Sequence, residues 1–276
     1  ARLCGVKNVY HVRQLIARPI IFRKILAKTM DMLSDVIIGI STPVCEMFWE
    51  NGISKEKCVL IFNGVDLSRY PLDLNRDSIR VELNITSEIK LVGLVGRMDP
   101  RKGHSYFLRA AKLILQEFQD VHFVIVGDID SHILKGYKEG LFRMTKVLGL
   151  TSNVSFLGFR EDVPEIMSGL DILVLASSSK RSPEPLGRVL IEAMAAQRPV
   201  VATGDGGGTD IVIDDATGML VPPRDERSMA KAIIYLLSNP SIAKEMGRNG
   251  RERVEELFSA RDYVRNVEKV FYSLVG

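Results

Sequence analysis

From about residue 90 onward, runs of four or five apolar residues alternate with segments whose apolar positions recur every three or four residues. Residues 91–95, 122–126, 154–157, 172–175 and 199–202 read as short strands without polar alternation, the pattern of strands covered on both faces. Helical periods fill the intervals at 104–118, within 133–148, at 163–167 and at 188–196. Strands linked by helical crossovers predict a doubly wound α/β domain with a parallel sheet. Three more helices are predicted at 225–237, 241–257 and 260–274.

The first 85 residues repeat this pattern incompletely. Strands are predicted at 6–10, 36–40 and 59–62, with an Arg/Lys-rich helix between the first two and a short helix at 44–50. The third strand runs into Asn63-Gly64, a strong turn signal. Two or three strands do not make a stable open sheet, so this half is expected to be the tail of a second α/β unit that begins upstream of Ala1. The predicted organisation is a partial unit at 1–72, a polar linker at 73–88, a complete domain at 89–258 and a C-terminal helix at 259–276.

Composition narrows the class. Hydrophobic residues at 46% and charged residues at 26% are an ordinary globular mixture, which excludes disordered, collagenous and coiled-coil chains. No apolar run approaches the ~18 residues of a membrane-crossing helix, and the opening lacks a signal peptide's apolar core. Cys4, Cys45 and Cys58 form neither a metal-ligand spacing nor a disulfide framework, which fits a reducing cytoplasm. Net charge is only +3, but it is unevenly spread. Residues 1–30 hold seven Lys and Arg and no carboxylate, whereas the other 246 carry 30 basic and 34 acidic groups. That asymmetry marks either a solvated helix face or a surface for phosphate, nucleic acid or anionic lipid.

Open α/β sheets bind ligands at the carboxyl ends of their strands, where glycine loops and helix N-termini present N–H groups to anions. Four loops stand at such positions. Gly96-Arg97-Met-Asp-Pro-Arg-Lys102-Gly103 supplies two cations for a diphosphate, yet matches neither a Walker loop nor a dinucleotide fingerprint. Glu184-Pro-Leu186-Gly187-Arg-Val-Leu-Ile-Glu192 puts one carboxylate before a helix and another one and a half turns inside it. Capping accounts for Glu184 as well as ligand binding does. Glu192 stands among apolar residues and needs a partner, which an Arg or a pair of sugar hydroxyls would supply. Gly127-Asp128 and Gly204-Asp-Gly-Gly-Gly208 complete the set.

Gly96-Arg97 with Lys102-Gly103, the Glu184 to Glu192 element, Arg198-Pro-Val-Val-Ala-Thr, Gly218-Met-Leu-Val-Pro and Asn63-Gly-Val-Asp66 together resemble glycosyltransferase family 4. The resemblance covers residues 59–276. It implies a GT-B fold, with one complete Rossmann-like donor domain and the remnant of a second, and a retaining, metal-independent transfer. It assigns Arg97 and Lys102 to the donor diphosphate and the leaving group, Glu184 to the transferred sugar, and Glu192 to the ribose hydroxyls. Gly96, Gly127 and Asp128 would line the donor loops, Leu186 and Gly187 would offer backbone N–H groups, and Phe159 and Arg160 would hold the base. His11 resembles a first-domain histidine facing the reaction centre. Three positions depart from the pattern: Gln197 replaces a left-handed glycine, Asp210 a glutamate, and Leu186 a phenylalanine.

The implied activity moves a hexosyl group from a nucleoside-diphosphate sugar to a hydroxyl acceptor, either a glycan or a lipid-linked glycan, with no cofactor and no metal. A nucleotide-sugar epimerase of the same fold and an inactive donor-binding fragment are the alternatives. Nucleic acid is not an expected partner, because the basic segment lacks interleaved aromatic residues. Its mixture of cations with Ile, Leu and Phe instead raises an expectation of peripheral contact with an anionic membrane surface.

Overall fold

The computed structural model describes residues 6–15, 20–129, 131–178 and 183–275. Cys4 and the basic residues Arg2 and Arg18 lie outside the described residues.

Two parallel sheets are present. The smaller holds β1 (Val9–Val12), β2 (Val36–Gly39) and β3 (Cys58–Leu60) in that order, with α1 (Ile20–Leu33) and α2 (Thr42–Trp49) as crossovers. After α3 (Ser78–Glu82) the chain builds the larger sheet from β4 (Lys90–Val95), β5 (Val121–Val126), β6 (Val154–Gly158), β7 (Ile172–Leu175), β8 (Val200–Thr203) and β9 (Met219–Val221). Its helices are α4 (His104–Glu117), α5 (Lys135–Val147), α6 (Val163–Gly169), α7 (Arg188–Ala195), α8 (Gly208–Ile211), α9 (Glu226–Ser238), α10 (Pro240–Leu257) and α11 (Ala260–Val275). β7 and β8 are buried at every position, which is why they read as unbroken apolar runs.

The strand order β6-β5-β4-β7-β8-β9 starts in the middle of the sheet, winds outward, then crosses back and winds the other way. The reversal falls between β4 and β7. β4 pairs with β5 over its whole length from Lys90 to Val95, but with β7 only at Val92 and Gly93. The carboxyl ends of β4 and β7 are therefore not paired with each other, which leaves a crevice at the topological switch point where such sheets take ligands.

Three readings shift. A sixth strand, β9, extends the larger sheet beyond the five read from the sequence. β1 begins at Val9 rather than residue 6, so His11 sits inside the strand, opposite Ile38. The polar stretch at 73–88 contains α3, whose Ile79 is buried against Gly169 of α6; a Cβ there would approach Ile79 to 2.2 Å. Arg80 of α3 also pairs with Asp171 at 2.6 Å. The segment is fastened to the larger sheet by burial and by an ion pair.

One apolar cluster runs from Ile37, Val44 and Phe48 beside the small sheet to Leu173, Leu190 and Val200 in the large one. The chain end reinforces this continuity. Val65 donates to the Phe258 carbonyl at 2.8 Å, and Ala260 donates to the Val65 carbonyl at 2.9 Å. A Cβ at Gly64 would lie 2.3 Å from the Ser259 carbonyl oxygen, so the crossing requires glycine.

Gln197 adopts the left-handed conformation with φ of 57°. Such a residue costs roughly 1–2 kcal/mol, and glycine relieves that cost while adding chain entropy to the unfolded state. Gln197→Gly is therefore expected to stabilise the fold by about 0.5 kcal/mol. Urea denaturation would read this as a higher midpoint at unchanged slope.

Candidate functional site

The crevice is bounded on one side by the loop after β4. Its backbone turns away at Gly96 and forms a 3-10 turn over Pro100–Lys102. Asp99 braces that turn: its carboxylate accepts from the Arg101 N–H at 2.8 Å and from the Arg101 guanidinium at 2.6 Å. These hydrogen bonds hold the Asp99 carboxyl below the usual range. Arg97 is exposed at the loop entrance, and Lys102 points across the crevice. Gly103 has φ of 72° and caps α4, and its Cβ would lie 1.8 Å from the Ala176 carbonyl oxygen. Only glycine lets this loop close on the end of β7.

The opposite wall is the loop before α7. Glu184 Oε2 meets Lys102 Nζ at 2.6 Å and accepts from Ser177 Oγ at 3.0 Å. Residues 82 apart in sequence are thus joined, because β4 and β7 are neighbours. Gly187, with φ of 85°, begins α7 without a side-chain cap, and the Leu190 N–H donates to its carbonyl at 2.8 Å. Leu186 is buried, so only its backbone is offered for contact.

Two glycines of 204–208 pack against the Glu184 segment. A Cβ at Gly206 would fall 2.2 Å from the Glu184 carbonyl oxygen, and one at Gly207 would fall 2.3 Å from that of Pro185. Gly207 N–H donates to the Glu184 carbonyl at 2.8 Å. The glycine loop is a rest for the Glu184 segment and fixes where its carboxylate points.

Three strand-end glycines lie edge to edge on the other flank. Gly96 N–H donates to the Val126 carbonyl at 2.8 Å, and Gly127 N–H donates to the Gly158 carbonyl at 2.7 Å. A Cβ at Gly127 would be 2.1 Å from the Gly96 carbonyl oxygen. Asp128 turns toward α5, where Lys138 holds its carboxylate at 2.6 and 2.8 Å. Asp128 opens an Asp128-Ile129-Asp130 triplet, a spacing that other enzymes use for metals, but Lys138 occupies its first carboxylate and Asp130 lies outside the described residues. Arg160 is likewise engaged, forked between Glu82 and Asp162 at 2.5–2.8 Å. Phe159 remains 73% exposed at the rim.

Glu192 lies inside α7 with Arg188 at 3.1 Å, one turn away on an exposed arm. Burial raises its carboxyl pKa, against the pull of Arg188 and Arg69. His11 stacks on Tyr263 of α11, with ring centroids 6.2 Å apart, and its Nε2 is buried without a hydrogen-bond partner. Burial, then Arg13, lower its pKa. Among the described contacts His11 does not touch Lys102 or Glu184.

The small sheet presents its own carboxyl end to the same place. Ser41, just after β2, donates to the Pro185 carbonyl at 2.5 Å, and Thr42 N–H donates to Asp210 Oδ2 at 2.6 Å. Asp210, which stands where the family pattern has a glutamate, links the two sheets through its bond to Thr42. Ser177 and Asp205 escaped the sequence reading. Asp205 Oδ1 is buried without a partner, and burial followed by neighbouring Glu184 raises its carboxyl pKa. The run Ser177-Ser-Ser directly after an apolar strand was the available signal for the first.

A doubly wound sheet with a cation–carboxylate pair and an uncapped helix N-terminus at its switch point places the chain among α/β proteins with a polar crevice at the strand ends. Within that class the family follows from comparison: the chain belongs to the glycosyl transferases group 1, whose family model matches residues 75–253. It is 25% identical over 240 residues to the capsular polysaccharide biosynthesis glycosyltransferase CapM of Staphylococcus aureus, covering 85% of this chain and 60% of that one. It is also 25% identical over 222 residues to the UDP-Gal:alpha-D-GlcNAc-diphosphoundecaprenol alpha-1,3-galactosyltransferase of Escherichia coli, covering 79% and 55%. The chain therefore spans little more than half the length of these curated relatives. Among solved structures, Anabaena Alr3699/HepE in complex with UDP-glucose superposes with a TM-score of 0.86 at 26% identity, over 99% of this chain and 74% of that one.

Proposed function

We propose that the chain is the donor-binding part of a retaining, metal-independent hexosyltransferase of glycosyltransferase family 4, which uses a nucleoside-diphosphate sugar. The observation that carries this reading is the Lys102–Glu184 pair at 2.6 Å, held at the switch point beside the N-terminus of α7. The UDP-sugar in the HepE complex and the lipid-diphosphate acceptor named for the galactosyltransferase support the same substrate classes.

In this mechanism the diphosphate takes Lys102 away from Glu184 and also lies against Arg97. Glu184, released but still held by Ser177, accepts from a hydroxyl of the sugar. The bond from the anomeric carbon to the β-phosphate oxygen breaks, the acceptor oxygen bonds on the same face, and its proton passes to the departing diphosphate. Fixed cations and helix N–H groups stabilise the charge that develops on that leaving group. Phe159 offers its ring to the base, and Glu192 exchanges Arg188 for the ribose hydroxyls.

Calorimetry with UDP, GDP and ADP sugars is expected to return saturable binding for one base, and absence of binding to all three would refute the reading. Glu192→Ala is expected to weaken the matching nucleoside by about tenfold, the worth of one charged hydrogen bond. The 2′,3′-dideoxy nucleotide should bind the parent protein with the same loss and be indifferent to the substitution.

The acceptor side extends the proposal to a membrane surface. In α1, Ile21, Ile25 and Met32 are 72%, 59% and 54% exposed beside Arg23, Lys24 and Lys28. Near an anionic surface each cation contributes about 1 kcal/mol. Co-sedimentation with anionic but not zwitterionic vesicles is expected, falling with salt. Replacing Arg23, Lys24 and Lys28 by Gln should abolish it.

A further inference from the structure

A second cavity lies at the other edge of the larger sheet. Its volume is about 740 Å3, and it opens at the amino ends of β4, β7 and β8, where Lys90, Ile172 and Pro199 stand on its wall. That edge is a full strand length from the donor crevice, roughly 17 Å along β4 at ~3.3 Å per residue.

The cavity is strongly cationic. Arg76, Lys90, Arg198, Lys244 and Arg248 line it, against the carboxylates of Asp171 and Glu245. Asp171 is already committed, holding Arg80 at 2.6 Å and the Leu91 N–H at 2.7 Å. Among the described residues Arg76, Lys90, Lys244 and Arg248 form no ion pair. Arg198 spends its Nε and one terminal nitrogen on the Ala196 and Leu170 carbonyls, at 2.9 and 3.1 Å, which fixes its guanidinium at the cavity wall. Burial, with Arg76 and Arg80 close by, lowers its pKa to about 10. Five cations stand against two carboxylates, one of them already paired with Arg80, and a bound anion would balance the excess positive charge.

A helix terminus adds to the same field. α10 is 18 residues long, begins at Pro240, and its Asn239 makes no side-chain cap. Pro240 and Ser241 line the cavity, so the positive end of the helix stands at its wall. Leu236, Leu237 and Ala243 give the wall an apolar part, beside the polar Gln197. A volume of this size accommodates a small organic molecule as readily as an inorganic ion.

We infer that the cavity is a binding site for a phosphate group, free or carried by a monoester, distinct from the donor crevice, with Arg198 and Arg248 as its principal cations. The phosphate lies between Arg198, Lys244, Arg248 and the start of α10, and the carbon skeleton of an ester lies on Leu236 and Leu237. This assignment does not depend on the transferase reading.

The test is calorimetric titration with inorganic phosphate and with glycerol 3-phosphate at constant ionic strength. It is made in the Lys102→Ala background, which weakens the donor crevice. Saturable binding of at least one probe is expected, and Lys244→Gln with Arg248→Gln should weaken it by tenfold or more. Both residues are exposed on α10, so the pair leaves the fold intact, which an unchanged thermal midpoint without phosphate would verify. Tighter binding of the ester assigns the site to a phosphorylated metabolite, and equal binding assigns it to the free oxyanion. No saturable binding, or equal binding by the Lys244/Arg248 variant and its parent, overturns the site.

Discussion

Substituting Lys102 by alanine is expected to raise the dissociation constant of a nucleoside diphosphate by about 30- to 100-fold, while the nucleoside changes by less than threefold. The magnitude follows from the bond removed. A charge-assisted contact in a largely enclosed crevice contributes about 2–3 kcal/mol, and every 1.4 kcal/mol is tenfold in affinity. Lys102 is suited to this because its loop is fixed at both ends, by the Asp99 brace and by Gly103 against Ala176. Little ordering is needed when the diphosphate arrives. Alanine also leaves Glu184 with Ser177 as its remaining side-chain partner, so part of any stability loss belongs to an unpaired carboxylate. Lys102→Ala with Glu184→Gln separates the two effects: stability should recover and diphosphate binding should not. Calorimetry with UDP and uridine on both variants is the measurement, and equal losses for the two ligands would remove Lys102 from the phosphates.

Much of this site was legible because its parts are local. A strand ending in Gly96 and a strand followed by Glu184 are visible as apolar runs that stop at special residues, and the left-handed Gln197 was legible only through the family resemblance, which has a glycine there. What local pattern does not carry is the choice of distant partners. Asp128 and Arg160 are expected donor contacts, and nothing in the sequence signalled that Lys138 pairs with the first and Glu82 with Asp162 pair with the second. The glycines of 204–208 read as an anion loop, and the absent side chains of two of them also make room for the Glu184 and Pro185 backbone. β9 was missed as a strand because three residues are too few for periodicity to register, and its pairing with β8 decides it. In each case a long-range contact fixes a partner that the local sequence leaves open.

The Lys102–Glu184 pair bears both on the stability of the crevice and on the proposed mechanism. Side-chain exposures of 25% and 13% show that both charges are mostly removed from water. Either one alone would be costly there, so each serves as the counter-ion of the other until a donor replaces the contact. In the proposed mechanism the diphosphate then satisfies Lys102 and a sugar hydroxyl satisfies Glu184. Binding energy is thus converted into orientation of the sugar, without exposing an unpaired charge at any stage.

Glu184→Gln is expected to separate binding from turnover in opposite directions. The amide keeps the size of the side chain and an oxygen that accepts from Ser177, so the loop resting on Gly206 and Gly207 should not move. It removes the negative charge that competes for Lys102, so a nucleoside diphosphate should bind a few-fold more tightly. Turnover should move the other way. A carboxylate that accepts from the sugar hydroxyl stabilises the positive charge that develops on the ring as the leaving group departs, and a neutral amide does so only weakly. At about 1.5–3 kcal/mol for a hydrogen bond to a charged group, kcat of the full-length enzyme should fall by roughly 10- to 150-fold. Binding titrations with UDP alongside steady-state kinetics decide the matter. A variant that loses diphosphate affinity and keeps its kcat would assign Glu184 to the phosphates and leave the sugar without its proposed acceptor.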